Sequence, residues 1–352
     1  MRIAVWNTAF LGDSVLTLPL IQVLSAAWPD AEIDFYVRGG LGPLYESQPG
    51  ISSVHECRKR GQDKGIAAIL RQGREIASRR YDMWVDAHLS LRSSVMARMS
   101  DAKVRIGYEE AAFSRFVFTR RISRCFASLQ EIERLLRLAE AAGVPQGILA
   151  DEAMHIPVLQ LPGWAHEEAS KLLSPLGAGP VIGVHPGSVW PTKRWTPEGF
   201  AHIVRRASEA GVGVVLLAGP GEAETAAEVR MLAGEAAGGS RFLDLSGRTS
   251  LPVLGAVLSR LGCYVTNDSG PMHMAWAQGV PVTAIFGPTV ESLGFAPRGA
   301  GSSIMQADIP CRPCGLHGHK ACPRGHFSCM RNIDAEAVWL DVARKLDTGR
   351  GC

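Results

Sequence analysis

"CYVTNDSGPMHMAWAQGVPVTAIFG", residues 263–287, decides the fold class. Cys263 to Thr266 is a short apolar run, the composition of a strand. Asn267-Asp268-Ser269-Gly270-Pro271 then turns the chain, and Pro271 suits the first turn of a helix over "PMHMAWAQG". "PVTAIFG" reads as the next strand. A strand, a helix and a strand joined by short turns make a β-α-β unit with parallel strands.

The alternation continues outward. Upstream lie strands "VIGVH", "GVVLLAG" and "RFLDLSG", and helices "TPEGFAHIVRRASEAG", "EAETAAEVRMLAGEAAG" and "SLPVLGAVLSRLG". The N-terminal half repeats the pattern with strands "RIAVW", "AEIDFYV" and "DMWVDA". Its helices are "DSVLTLPLIQVLSAAWP", which Pro19 should bend, "GIAAILRQGREIASRRY", and "SLQEIERLLRLAEAAG", which Gly143 and Pro145 stop. Asp151 to Pro180, richer in Pro and Gly, reads as an interdomain connection. The expectation is an α/β protein of two Rossmann-like, doubly wound domains. They span 1–160 and 161–333, followed by a helix and tail over 334–352.

A chain of 352 residues favours two domains over one. With 46% hydrophobic and 20% charged residues it has an ordinary soluble composition. A net charge of +3 is too small to argue for nucleic acid. No secretory signal and no bilayer-length apolar run is legible, so the expected compartment is the cytoplasm. Of eight cysteines, four cluster as Cys311-x2-Cys314-x7-Cys322-x6-Cys329. Within a cytosolic chain, that spacing fits a structural zinc or iron–sulfur site, with His317, His319 and His326 as alternative ligands; free thiols or a labile disulfide fit it too.

Ligands of open α/β sheets bind at the carboxyl ends of the strands. The first turn holds Gly12 and Asp13, and Asp13 is either a helix cap or a general base. The turn after "VIGVH" offers Gly187, Ser188, Lys193 and Arg194 before a Thr-Pro-Glu helix start, a convergence suited to an anion. Asp268, Ser269 and Gly270 open the helix that carries His273, which suits a phosphate or sugar. Glu222 or Glu224 can accept from ribose hydroxyls, or simply complement a helix N-terminus. "RKRGQDK", with Arg58, Lys59, Arg60 and Lys64, is a basic patch or a solvated loop.

With these turns in place, the chain resembles the ADP-heptose:lipopolysaccharide heptosyltransferases of glycosyltransferase family 9, with the GT-B fold. The resemblance rests on "LGDSVLTLP" at 11–19, "HPGSVWPTKRW" at 185–195 and "NDSGPMHMAWAQGVPVTAIFGPT" at 267–289, in the family's order. The second stretch looks most like the heptosyltransferase II branch. The resemblance implies a cleft between the two domains and an inverting transfer of heptose from ADP-L-glycero-D-manno-heptose to the lipopolysaccharide inner core. It implies Asp13 as base and Lys193 on the donor diphosphate. It further implies Gly187, Ser188, Glu224 (less so Glu222), Leu251, Asp268, Ser269, Gly270 and His273 at the donor. The N-terminal domain would take the acceptor, with Gly12, Arg60 and Lys64 as candidate contacts and a peripheral contact with the inner membrane. Catalysis would need no cofactor. The cysteine-rich loop departs from the better-known members, and no role carries over to it.

Other readings remain open at this point. A family-9 transferase using another nucleotide sugar fits the same motifs. An NAD-dependent oxidoreductase is doubly wound too, although the first turn lacks G-x-G-x-x-G. A non-enzymatic metal or redox module would use only the cysteines.

Overall fold

In the computed structural model, which describes residues 1–58 and 65–348, each strand expected from the sequence lies in a parallel sheet. The chain divides into two compact units, Met1–Leu161 and Pro162 onward.

The first unit carries β1 (Arg2–Asn7), β2 (Glu32–Arg38), β3 (Ser53–Cys57), β4 (Met83–Asp86), β5 (Val104–Tyr108) and β6 (Arg120–Ile122), ordered β3-β2-β1-β4-β5-β6. Helices cover both faces of a parallel sheet, so its central strands are near-continuous apolar runs. Ile3 to Trp6 of β1 are fully buried, and Trp6, Tyr36 and Trp84 pack as tilted rings 5.3–5.6 Å apart. The first helix is interrupted, as Pro19 suggests. Leu11–Leu16 and Leu18–Ala27 abut at Thr17, with the proline in the first turn of the second segment. Helix Glu131–Ala142 ends at Gly143, whose φ of 99° takes the left-handed conformation that glycine adopts without a Cβ clash.

The second unit carries β7 (Val181–His185), β8 (Gly213–Leu216), β9 (Phe242–Asp244), β10 (Cys263–Asn267), β11 (Val282–Ile285) and β12 (Ser302–Met305), ordered β12-β11-β10-β7-β8-β9. Renumbered from β7, this is the order of the first sheet. In each, two consecutive strands wind one way from the first strand and the fourth starts the return. The chain reverses between β1 and β4, and again between β7 and β10. Such switch points open a crevice at the strands' carboxyl ends.

Four strands escaped the sequence reading. β3, β6 and β12 are short and largely half-exposed, and β5, though buried over Ile106–Tyr108, is broken by Arg105 and Gly107, so none shows an apolar run. The supposed connection 151–180 contains helix Gly163–Leu173, which packs against Leu251–Leu258 inside the second unit. The closing helix Ala335–Thr348 adds Val338, Trp339 and Val342 to that unit's core.

Candidate active site

Second-unit strand order makes neighbours of the turns after β7 and β10. Asn267, at the end of β10, ties them together. Its amide nitrogen donates to the Pro186 and Gly187 carbonyls (2.8 and 3.1 Å), and its amide oxygen accepts from the Trp195 backbone (2.9 Å). Trp195 is buried against Phe200, so the 186–195 turn is fastened at both ends.

That turn aims Lys193 at Asp268. Nζ lies 2.5 Å from Oδ2, with side chains only 12% and 9% exposed. The Thr289 hydroxyl, beyond β11, donates to the same oxygen at 2.7 Å. Next to the pair, His273 is buried, and its Nδ1 has no partner. Burial lowers the His273 pKa to about 4, Lys193 adding to the drop and Asp268 opposing it. The ring is therefore neutral near pH 7 and has a nitrogen to spare for a ligand. Ser269, in extended conformation, leads into helix Gly270–Ala277, whose first backbone N–H groups lack intrahelical acceptors. A cation, a neutral imidazole and free N–H donors converge, as a diphosphate requires.

Gly187 has a local reason to be glycine: a Cβ there would lie 2.1 Å from the Glu222 carboxyl carbon. Glu222 accepts from the Gly219 backbone (2.6 Å) and meets His185 Nε2 (3.0 Å). Burial pushes the Glu222 carboxyl up, but the His185 hydrogen bond and charge, together with the Gly219 N–H, outweigh it and hold it below the usual range. Ser188 is buried, and its carbonyl accepts from Arg194 Nε at 2.8 Å. Glu224 is exposed in the first turn of Ala223–Ala233, and Leu251 begins Leu251–Leu258 half-buried.

In the first unit, the turns after β1 and β4 meet likewise. Asp13 Oδ2 accepts the Phe10 N–H at 3.1 Å, so Asp13 does cap the start of its helix. Burial raises the Asp13 pKa to about 6; Glu131 pushes it further, while the Phe10 N–H and Arg124 pull it down. Glu131 takes both oxygens to Arg124 (2.8 and 2.7 Å) and also meets buried Arg134 at 2.8 Å. Gly12 is buried beside Asp13. Across the switch point, Asp86 is buried with Oδ1 on the His88 N–H and Oδ2 unpartnered, and burial drives its pKa well up. The His88 ring meets Thr8 Oγ1 at 3.1 Å. Arg60 and Lys64 lie outside the described residues.

Comparison with known proteins then decides the family. The model of glycosyltransferase family 9 (heptosyltransferase) matches residues 69–322, well over half the chain.

The chain belongs to glycosyltransferase family 9.

Lipooligosaccharide heptosyltransferase 2 of Campylobacter jejuni is 28% identical over 48% of this chain, a match spanning about half (52%) of that relative's length. A family 9 glycosyltransferase structure from Veillonella parvula superposes with TM-score 0.86 at 24% identity, over 99% of this chain and 97% of that one. E. coli ADP-heptose LPS heptosyltransferase II gives 0.81 at 22% identity, over the full length of both. The fold of this family 9 chain is GT-B, with two Rossmann-like units.

For a family 9 glycosyltransferase, the sequence reading overlooked several residues around its motifs. Asn267, Thr289, His185 and His88 all sit at or just past the ends of strands, which is the signal that flags them. Glu222 faces inward on His185 whereas Glu224, the favoured carboxylate, faces solvent. Cys311, Cys314 and Cys322 lie in one loop and Cys329 on the short helix Ser328–Arg331 that follows it, and all three loop thiols act on Cys329 electrostatically. Among the described residues, no three His, Cys, Asp or Glu side chains are placed to hold a metal ion. Nor is any helix there long and apolar enough to cross a membrane.

Proposed function

We propose that this family 9 glycosyltransferase moves heptose from ADP-L-glycero-D-manno-heptose to the inner core of lipopolysaccharide, inverting the anomeric centre. The observation that carries the reading is the Lys193–Asp268 pair at the second unit's switch point, beside the unpartnered Nδ1 of His273. In this reading Asp268 and Thr289 fix Lys193, which faces the donor diphosphate with His273. The N–H groups at Ser269 and Gly270 complete the anion site. Gly187 and Ser188 shape its other wall, and Glu224 and Leu251 take the nucleoside.

Asp13 then removes the proton from an acceptor hydroxyl. The freed oxygen bonds to the anomeric carbon from the face opposite ADP, and the carbon–oxygen bond to the diphosphate breaks. Negative charge grows on the departing ADP, where Lys193 and the helix N–H groups stabilise it. A carboxyl with pKa about 6 is ionised at neutral pH yet more basic than an ordinary aspartate, as a general base should be. The first unit takes the lipid-anchored acceptor, with Gly12 close to the reacting hydroxyl; contact with the inner membrane belongs to the same reading. The fixed cation and N–H groups serve the leaving group without a catalytic cofactor. The four cysteines are proposed as a structural zinc or iron–sulfur site, supported by their spacing and their placement on one loop and the short helix that follows it; the ion would have to draw the sulfurs together.

Calorimetric titration with ADP-heptose, UDP- and GDP-sugars and NAD tests the donor class. Only the ADP-sugar should bind, and heptose should appear on a lipopolysaccharide core acceptor. Binding of NAD or a UDP-sugar in its place overturns the reading.

A further inference from the structure

The reaction above leaves the cysteine-rich excursion without a part, yet it is fastened at two places, its root to the exit of β11 and its tip to the turn that carries Lys193. Its root is fixed to the exit of β11. The Arg312 guanidinium donates to the carbonyls of Gly287, Phe286 (3.1 Å), Thr289 (2.8 Å) and Ala307 (2.7 Å), and the Cys314 N–H donates to Pro288 (2.9 Å). Its tip pairs with the other turn. The His319 N–H donates to Thr192 Oγ1 at 2.7 Å, and the Thr192 N–H returns to the His319 carbonyl at 3.2 Å. Between them, Gly318 is pressed flat. A Cβ there would lie 2.5 Å from Trp190 Cβ and 3.0 Å from Lys193 Cγ. The loop therefore spans from Thr289, which holds Asp268, to Thr192, which adjoins Lys193.

One residue earlier, the exposed His317 ring lies parallel to Trp190, with centroids 6.2 Å apart and an 8° tilt. The backbone bonds already brace the loop, so this ring is not needed to hold it in place. We propose that the 311–329 loop is a wall of the donor site, and that it presents the His317 imidazole beside Lys193 to the diphosphate of a nucleoside-diphosphate sugar. The proposal rests on the donor assignment of Lys193 and Asp268. In either protonation state the imidazole has an N–H to donate. A hydrogen bond from that N–H to a charged phosphate oxygen sharpens the orientation of the leaving group at the end already held by Lys193.

The test is calorimetric titration of the full chain with ADP, on wild type, His317→Ala, His317→Gln and Lys193→Met, each with a melting curve. His317→Ala should weaken ADP binding about tenfold or more with unchanged melting, since a bond to a charged group is lost. His317→Gln keeps an N–H donor and should recover most of the affinity. If Lys193→Met is weakened while His317→Ala binds as wild type, His317 has no such role and the proposal falls. If Lys193→Met also binds ADP normally, the donor-site assignment itself falls, and this proposal with it. Should His317→Ala melt lower, His317→Gln decides. Normal melting with weakened binding that is stronger than that of His317→Ala supports the contact, and equal loss in both variants overturns it.

Discussion

Replacing Lys193 by Met tests the donor-site electrostatics without opening a cavity, because the methionine keeps most of the lysine stem. At 2.5 Å, and with an effective dielectric of about 20, the attraction to Asp268 is about 7 kcal/mol. Both side chains have already lost most of their hydration, so only part of that attraction is net. Removing one partner of a buried pair costs about 3–5 kcal/mol, since the other charge stays desolvated. The Thr289 hydroxyl remains on the same Asp268 oxygen at 2.7 Å and offsets about 1 kcal/mol. The expected net loss is about 2–4 kcal/mol, or about 5–15 °C in the melting of the second unit. Asp268→Asn alone strands the lysine instead. The double variant leaves no charge uncompensated and should recover at least about 1 kcal/mol relative to the sum of the singles. Thermal and urea unfolding followed by fluorescence measure the cycle. Additive losses, or a Lys193→Met melting point within about 1 °C of wild type, would refute the coupling.

Four further outcomes are expected. The Asp13 carboxyl, at about 6, must be ionised to act, so kcat/KM should fall about tenfold from pH 7 to pH 5, and Glu131→Gln should move that limb to lower pH. Because its folded value is raised, ionised Asp13 works against the fold above pH 6, and Asp13→Asn should melt no lower than wild type at pH 7; a flat profile or a large destabilisation contradicts this. Gly187→Ala pushes a Cβ to 2.1 Å from the Glu222 carboxyl carbon and should cost about 1–3 kcal/mol, relieved by adding Glu222→Ala. Mass-spectrometric metal analysis of the purified chain should find one equivalent of zinc or one iron–sulfur cluster, lost when Cys311, Cys314, Cys322 and Cys329 become serine; a metal-free chain with cysteines reduced removes that site.

Much of the fold was legible because central parallel strands are buried on both faces. β1, β7, β10 and β11 must be apolar almost without break, and their turns must carry Gly, Asp, Ser and Pro. β3, β6 and β12 were not legible, because "SVHEC", "RRI" and "SSIM" are short and largely half-exposed, which relaxes the constraint, and β5 was hidden by the Arg105 and Gly107 that interrupt "VRIGY". Helix Gly163–Leu173 hid behind Pro162 and Gly163, which read as linker yet form its start. The turns that build the site were found one by one, since each follows a strand. The resemblance set those of the second unit at one donor, but the direct pairings between them were not legible. Lys193 reaches Asp268 across 75 residues and Thr192 reaches His319 across 127, through a strand order that no local pattern encodes. Glu222 and Glu224 differ in sequence by two places; only the turn before the helix shows that the first lies inward on His185.

The most direct measurement of the whole account is a single-turnover experiment on Asp13→Asn. ADP-heptose and a lipopolysaccharide core acceptor are mixed with the variant, and ADP release is followed beside ADP-heptose binding. The account predicts donor affinity equal to wild type, since Asp13 lies in the first unit, with transfer slowed at least about a hundredfold by loss of the base. Near-normal transfer by Asp13→Asn would contradict it.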